Sequence, residues 1–173
     1  RNGRKWISSN DDGLWMSILL KPMILPQKLS ALTLLAGLCV VKVLREKYGA
    51  DAFVKWPNDI VLSQKKLGGI LCESAFEGDS VSYAIVGIGI NLFCESFDKE
   101  IENIAGAVLE NETPNLKSKI VAEILNIFYN YYTCLADKKH YASYKERLFV
   151  LGKEVEIING NETQNATVLD LDN

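Results

Sequence analysis

The sequence lacks several features that would point to a particular class of protein. Its four cysteines, at positions 39, 72, 94 and 134, lie far apart without a C-x-x-C pair, which argues against a zinc site and a disulfide framework. Lys and Arg total 19 against 22 Asp and Glu, so there is no basic excess of the kind that binds nucleic acid. We therefore expect a reduced, cytoplasmic protein whose function depends on local sites.

Long apolar runs are also missing. The longest, Leu29 to Val41, contains Ser and Thr and is shorter than the ~20 residues that a membrane span needs, so no membrane partner is expected. A chain of 173 residues with 48% hydrophobic content suffices for one core and a small appendage. The chain begins at Arg1 inside what resembles a functional loop, and we expect the natural N-terminus to lie upstream.

Apolar periodicity predicts the main elements. Leu14 to Lys21 is an apolar run closed by Pro22, which is typical of a buried strand. Apolar residues spaced by three and four from Pro26 to Tyr48 predict a helix that ends at Gly49. Further strands are predicted at 53–55, 59–62, 66–76 and 81–92, the last two as an antiparallel hairpin, and further helices at 117–135 and 140–148.

The pattern changes near the end of the chain. After Gly152, short alternating strands are predicted at 154–158 and 167–171. We therefore divide the chain into a main domain, residues 1–149, and the start of a small β module, residues 150–173. The single histidine, His140, lies in a polar run and is expected at the surface.

Two polar segments are candidates for chemistry. Arg1-Asn2-Gly3-Arg4-Lys5-Trp6 combines guanidinium groups for phosphate or carboxylate with a glycine and an indole, although a solvated basic loop has the same composition. Lys55-Trp56-Pro57-Asn58-Asp59 interrupts a strand, where irregular backbone directs polar side chains into a cleft; an ordinary turn is the alternative.

Two glycine-bearing strands are further candidates. Gly68 and Gly69 follow Lys66 in an apolar strand, where a ligand close to the backbone or a β-bulge would explain them. Gly87 and Gly89 alternate with Val86, Ile88 and Ile90, so the glycines share one face of the strand, together with Asn91.

In this order and spacing, the four segments resemble the catalytic domain of biotin protein ligases. The family motifs R-x-G-R-x-W, K-W-P-N-D, K-x-G-G-I-L and G-x-G-x-N begin here at Arg1, Lys55, Lys66 and Gly87. The resemblance implies an α/β (α+β) fold of the class II synthetase type. Such a domain has a mixed, mostly antiparallel sheet backed by helices, here with a partial SH3-like β-barrel at the C-terminus.

The resemblance also implies roles for individual residues. Lys66 and Arg1 would be catalytic and would contact biotin and its adenylate, and Gly69 and Gly87 would leave room for biotin. The residues implied at the ATP site are Arg4, Trp6, Lys55, Asn58, Asp59 and Asn91. Asp59 and Asn91 are also the implied ligands of Mg²⁺.

The implied activity is formation of biotinyl-5'-adenylate from biotin and ATP, followed by transfer of biotin to a lysine of a biotin carboxyl carrier protein or domain. The resemblance implies that a Ser-Thr-Asn strand and the opening Gly-Arg of the loop, both of which contact biotin in the family, precede the position of Arg1. A lipoate ligase or transferase is the nearest alternative. A biotin-responsive repressor is another, and it would bind DNA only through an upstream helix-turn-helix. The sequence leaves the oligomeric state open, with a homodimer as one alternative.

Overall fold

A computed structural model of the protein describes residues 12–93, 97–109, 113–137, 139–160 and 162–171. The strands in these ranges are β1 (Gly13–Leu20), β2 (Phe53–Lys55), β3 (Asp59–Leu62), β4 (Lys65–Glu77), β5 (Ser80–Asn91), β6 (Glu154–Asn159) and β7 (Glu162–Thr167). The α-helices are α1 (Ser30–Tyr48), α2 (Leu116–Tyr132) and α3 (Lys139–Glu146).

Five strands form one sheet in the order β1-β5-β4-β3-β2, and each neighbouring pair is antiparallel. The predicted β4–β5 hairpin is confirmed. Its turn consists of Gly78 and Asp79, because Glu77 and Ser80 already pair. Gly78 has a φ of 57°, a left-handed conformation that glycine adopts at little cost. The expected α+β class with a mostly antiparallel sheet is therefore confirmed.

The apolar helix α1 is the centre of the core. It follows a short 3-10 helix at Pro26–Lys28 and ends at Gly49, as predicted, where a φ of 67° closes the last turn. Ten α1 residues are buried, on more than the single predicted face, because α1 packs against both the sheet and α2. By length and mean hydropathy, the segment Pro26–Tyr48 of 23 residues is long and apolar enough to cross a membrane, although the sequence-based estimate found only a shorter apolar run. In this fold most of that segment packs in the core.

Two burial predictions were wrong. β1 is not buried on both faces, since Trp15 is 41% and Leu19 67% exposed on the face that points away from α1. His140 is 3% exposed, because α3 directs it towards the core although its sequence neighbours are polar.

The C-terminal hairpin also differs from the prediction. The register of β6 and β7 begins with the pair Asn159–Glu162 next to the turn and ends with the pair Glu154–Thr167. The second strand is therefore Glu162–Thr167 and not 167–171. The turn is short because Gly160 adopts a φ of 63°. These strands form a separate two-stranded sheet, and the partial SH3-like barrel stays a prediction.

Candidate active site

The sheet face that points away from α1 carries glycines at the centre of β4 and β5. Cross-strand pairing puts Gly69 beside Gly89, and Gly87 lies two residues further along β5 on the same face. The other face of β5 carries the buried residues Val86, Ile88 and Ile90. The prediction that the alternating glycines share one face is therefore confirmed. Gly69, Gly87 and Gly89 together form a surface of bare backbone, called here the glycine floor.

The glycines in these strands are not equivalent. A Cβ atom at Gly68 would collide with the carbonyl oxygen of Gly89 and lie 3.0 Å from Ile90 Cα, so contact between the strands requires glycine there. A Cβ atom at Gly87 would lie 3.5 Å from the carbonyl oxygen of Leu71, which is an ordinary van der Waals distance. Strand packing therefore explains Gly68 but leaves Gly87 unexplained.

Apolar side chains border the glycine floor. Trp15 pairs with Gly89, and its indole lies over Gly13, where a Cβ atom would overlap the ring. Leu71 of β4 is 49% exposed on the other side. Sequence reasoning missed Trp15 as a site residue, because only the register between β1 and β5 places it beside Gly89.

Lys66 reaches this face through an irregularity in β4. Ile60 pairs with Gly68 and Val61 with Lys66, so Leu67 is an extra residue in a β-bulge. Because a bulge shifts the alternation of side chains by one, Lys66 shares the face of Gly69 while Leu67 is buried. Of the two explanations considered for the paired glycines, the bulge is present, and it is also what brings Lys66 to the site.

The polar residues predicted at the break between β2 and β3 differ in whether they reach the glycine floor. Asp59 pairs with Gly69, and its Oδ1 lies 2.5 Å from Lys66 Nζ at one end of the glycine floor. Asn58 holds β4 instead, because its Nδ2 donates to the carbonyl oxygen of Ile70 at 3.0 Å. Lys55 is exposed at the end of β2 and pairs with Asp59 through the backbone. The structure therefore brings together Asp59 and Lys66 and leaves Lys55 at the periphery.

Asn91 lies at the end of β5, on the face of the glycine floor. Its Nδ2 donates to the carbonyl oxygen of Gly106 at 3.2 Å, and its own carbonyl oxygen accepts from Val108 N at 3.1 Å. The contact with this later segment was not predicted from the sequence.

The described residues contain no group of three His, Cys, Asp or Glu side chains that could hold a metal ion. The roles of Asp59 and Asn91 as Mg²⁺ ligands therefore stay predictions. Arg1, Arg4 and Trp6 lie outside the described residues, and their roles stay predictions.

Comparison with known proteins is consistent with this geometry. The model of the biotin/lipoate A/B protein ligase family matches residues 1–91, more than half of the 173. The chain therefore belongs to the biotin/lipoate A/B protein ligase family. Within that family, the chain is similar to proteins named bifunctional ligase/repressor and to solved structures named biotin protein ligase.

Among curated relatives, the bifunctional ligase/repressor BirA of Bacillus spizizenii is 38% identical over 131 residues, covering 74% of this chain and 40% of the relative. The chain spans about two fifths of the length of that relative and less of the Bacillus subtilis protein of the same name, which is 44% identical over 107 residues. Among solved structures, the biotin protein ligase from Aquifex aeolicus in complex with biotin and ATP has a TM-score of 0.78 and 27% identity. That match covers 96% of this chain and 70% of the Aquifex chain.

Proposed function

We propose that the protein is an ATP-dependent ligase that forms biotinyl-5'-adenylate and transfers biotin to a lysine of a carrier protein. The observation that carries the proposal is the glycine floor with the Lys66–Asp59 pair at one end. Biotin has a compact fused-ring head and a carboxylate on a flexible chain. The head fits against bare backbone bordered by Trp15 and Leu71, and the carboxylate then extends towards Lys66.

Lys66 is suited to the first step. The biotin carboxylate attacks the α-phosphorus of ATP, and pyrophosphate leaves with the bonding electrons. Negative charge on the phosphate oxygens is stabilised by a cation already in place, and the Lys66 ammonium is held by Asp59 before substrate arrives. The Lys66 side chain is 41% exposed, so it is accessible to a ligand above the sheet.

Asp59 fits a second role. Mg²⁺ in nucleotide sites is commonly held by one or two carboxylates together with phosphate oxygens and water, so a dedicated protein cluster is not needed. Asp59 would hold the Mg²⁺ that accompanies ATP, whose chemistry is neutralisation of phosphate charge. Transfer of Lys66 from Asp59 to the substrate would free a carboxylate oxygen for this contact.

The second step needs no nucleophile from the protein. An unprotonated lysine amine of the carrier attacks the acyl carbonyl of the adenylate, and AMP leaves. The site must then position the adenylate and exclude water, which is the role that the family resemblance gives to Arg1. A biotin carboxyl carrier domain is the partner that we propose, and a homodimer stays a prediction.

Biotin is favoured over lipoate because the solved Aquifex structure is named a biotin protein ligase in complex with biotin and ATP, and a relative from Paracoccus denitrificans is named a biotin–[acetyl-CoA-carboxylase] ligase. The family name covers both substrates, so the substrate needs a direct test. The Bacillus relatives are also named repressors. We propose the ligase activity alone, because the described site supplies groups for binding an acyl chain and a phosphate.

The test is pyrophosphate release by purified full-length protein with MgATP and either biotin or lipoate, without carrier. We expect release with biotin and little with lipoate, and a thermal stabilisation by biotin with ATP that exceeds that by lipoate with ATP. Preference for lipoate would replace the proposed substrate. No release with either compound would contradict the proposed adenylation.

A further inference from the structure

At the start of β4, a loop and not a strand occupies the side on which β5 lies further along. β5 ends at Asn91, so it does not extend alongside Lys66. The segment 104–106 takes that place: Lys66 N donates to the carbonyl oxygen of Ile104 at 2.7 Å, and Gly106 N donates to the carbonyl oxygen of Lys66 at 2.9 Å. The backbone of Lys66 is thus held by β3 on one side and by a loop on the other.

The same loop is attached to Asn91. Gly106 N donates to the carbonyl oxygen of Lys66 at 2.9 Å. The carbonyl oxygen of Gly106 accepts from Asn91 Nδ2 at 3.2 Å. Gly106 is buried, and a Cβ atom there would lie 3.0 Å from Lys65 Cβ, so its backbone is closely packed against the first residue of β4. A continuous path of hydrogen bonds therefore joins the Asn91 amide to the backbone of Lys66.

We propose that Asn91 is a positioning residue that acts on Lys66 through Gly106, and that it is not a direct ligand of the ATP phosphates or of Mg²⁺. The inference rests on the proposed function, in which Lys66 stabilises charge during adenylate formation. A lysine side chain is flexible, so the position of its ammonium depends on a fixed backbone as well as on Asp59. A displacement of about 1 Å from productive geometry costs up to ~100-fold in rate.

Replacement of Asn91 by Asp separates the two roles. Asp lacks the N–H that donates to Gly106, and its carboxylate would repel that carbonyl oxygen. It keeps an oxygen at the same position and adds a negative charge, which would preserve or strengthen a metal contact. Asn126→Asp, at an exposed position of α2, is a matched control for the added charge.

We expect Asn91→Asp to lower the rate of biotinyl-adenylate formation at saturating substrates by about 10- to 100-fold. The KM for MgATP should stay within about threefold, and Asn126→Asp should match the unmutated protein on both measures. A normal rate in Asn91→Asp, or a change confined to the Mg²⁺ or MgATP dependence, would overturn the proposal.

A double-mutant cycle tests the route through Lys66. If Asn91 acts by positioning Lys66, its replacement should change the residual rate of a Lys66→Ala background by less than about twofold, since the group being positioned is gone. Independent effects that multiply in the double variant would overturn the proposal.

Amide hydrogen exchange supplies a readout that does not need activity. Asn91→Asp should accelerate exchange at Lys66 and Gly106, whose N–H groups make the two loop contacts, more than at the β4–β5 pairs around Leu71. Unchanged exchange at Lys66 and Gly106 would show that Asn91 does not hold the loop. If the unmutated protein forms no biotinyl-adenylate, the proposed function fails, whereas the exchange result still decides whether Asn91 holds the Lys66 backbone.

Discussion

Lys66 and Asp59 form an ion pair between adjacent strands, with 2.5 Å between Nζ and Oδ1, at one end of the glycine floor. Their side chains are 41% and 29% exposed, so water screens the pair. Exposed pairs of this kind contribute about 0–1 kcal/mol to stability. Removal of Lys66 therefore affects the proposed chemistry far more than the folding of the chain.

Lys66→Ala should lower the rate of biotinyl-adenylate formation by about 10²–10³, the effect of losing one preorganised charged donor. Its free energy of unfolding should change by less than about 1 kcal/mol, because the pair is screened. Both quantities are measurable by pyrophosphate release and by denaturant titration. Lys47→Ala, at an exposed position in the last turn of α1, is the control for loss of a lysine. Near-normal release by Lys66→Ala would rule out the proposed role.

The two types of glycine should respond differently to substitution. Gly68→Ala should lower the free energy of unfolding by about 1–3 kcal/mol or more, because its Cβ would meet the backbone of Gly89 and Ile90. Gly87→Val should leave stability within about 1 kcal/mol, because the Cβ at this position makes only ordinary contacts. The same variant should weaken biotin binding at least about tenfold, a loss of ~1.4 kcal/mol, since its methyl groups would occupy the floor.

Calorimetric binding of biotin and thermal unfolding, measured on both variants, check this contrast. Each variant is the control for the other, because both replace a glycine in the same hairpin. If Gly87→Val loses stability and biotin affinity in parallel, Gly87 is structural and the glycine floor is not the biotin site.

Features that depend on local sequence were predictable. The C-terminal end of α1 follows from Gly49, whereas the helix begins at Ser30, four residues after the predicted Pro26, because a 3-10 helix precedes it. The shared face of Gly87 and Gly89 follows from the alternation of a strand, whatever its neighbours are. The family motifs then identified Lys66 and Asp59, and the structure places these two side chains in contact.

Features that depend on pairing between distant segments were not predictable. A β-bulge was one of two explanations for Gly68 and Gly69, but only the pairing with β3 locates it at Leu67, where it reverses the alternation that a regular strand would give to Lys66. The pairing of Lys66 with the segment 104–106 joins residues about 40 positions apart, and no periodicity in either segment indicates it. His140 was misplaced for a related reason, because burial depends on which face of α3 meets the core.

Cys39 should be chemically inert in the folded protein. Burial in α1 raises the pKa of its thiol to about 12, and only the thiolate reacts with disulfide reagents. Under native conditions at neutral pH, we expect Cys39 to be modified much more slowly than the partly exposed Cys134, and at a similar rate after unfolding. Time-resolved modification with peptide mapping measures both. Equal native rates at Cys39 and Cys134 would contradict the burial of Cys39.

We expect the buried His140 to make the stability of the fold depend on pH. It is 3% exposed, and its Nδ1 has no hydrogen-bond partner among the residues that the structure describes. Desolvation disfavours the imidazolium and lowers the pKa of His140 below its ordinary value of 6.5. The unfolded chain therefore binds a proton at a higher pH than the folded chain does.

The direction in which stability changes with pH follows from the lower pKa of His140 in the folded chain. The contribution of neutral His140 to the free energy of unfolding should be fully present above about pH 6.5 and should fall as the pH drops below that value. This fall should end once the pH is below the pKa of His140 in the folded state. The slope in that window is at most about 1.4 kcal/mol per pH unit for one proton. Urea titrations give the free energy of unfolding of the unmutated protein and of His140→Gln at about five pH values between about pH 5 and pH 8. The difference between the two proteins isolates the contribution of His140, because the same carboxylates titrate in both proteins. We expect the difference in free energy of unfolding between the two proteins to be constant near pH 8 and to shift in favour of His140→Gln towards pH 5. A difference that does not change over this range would mean that His140 has the same pKa in the folded and unfolded states.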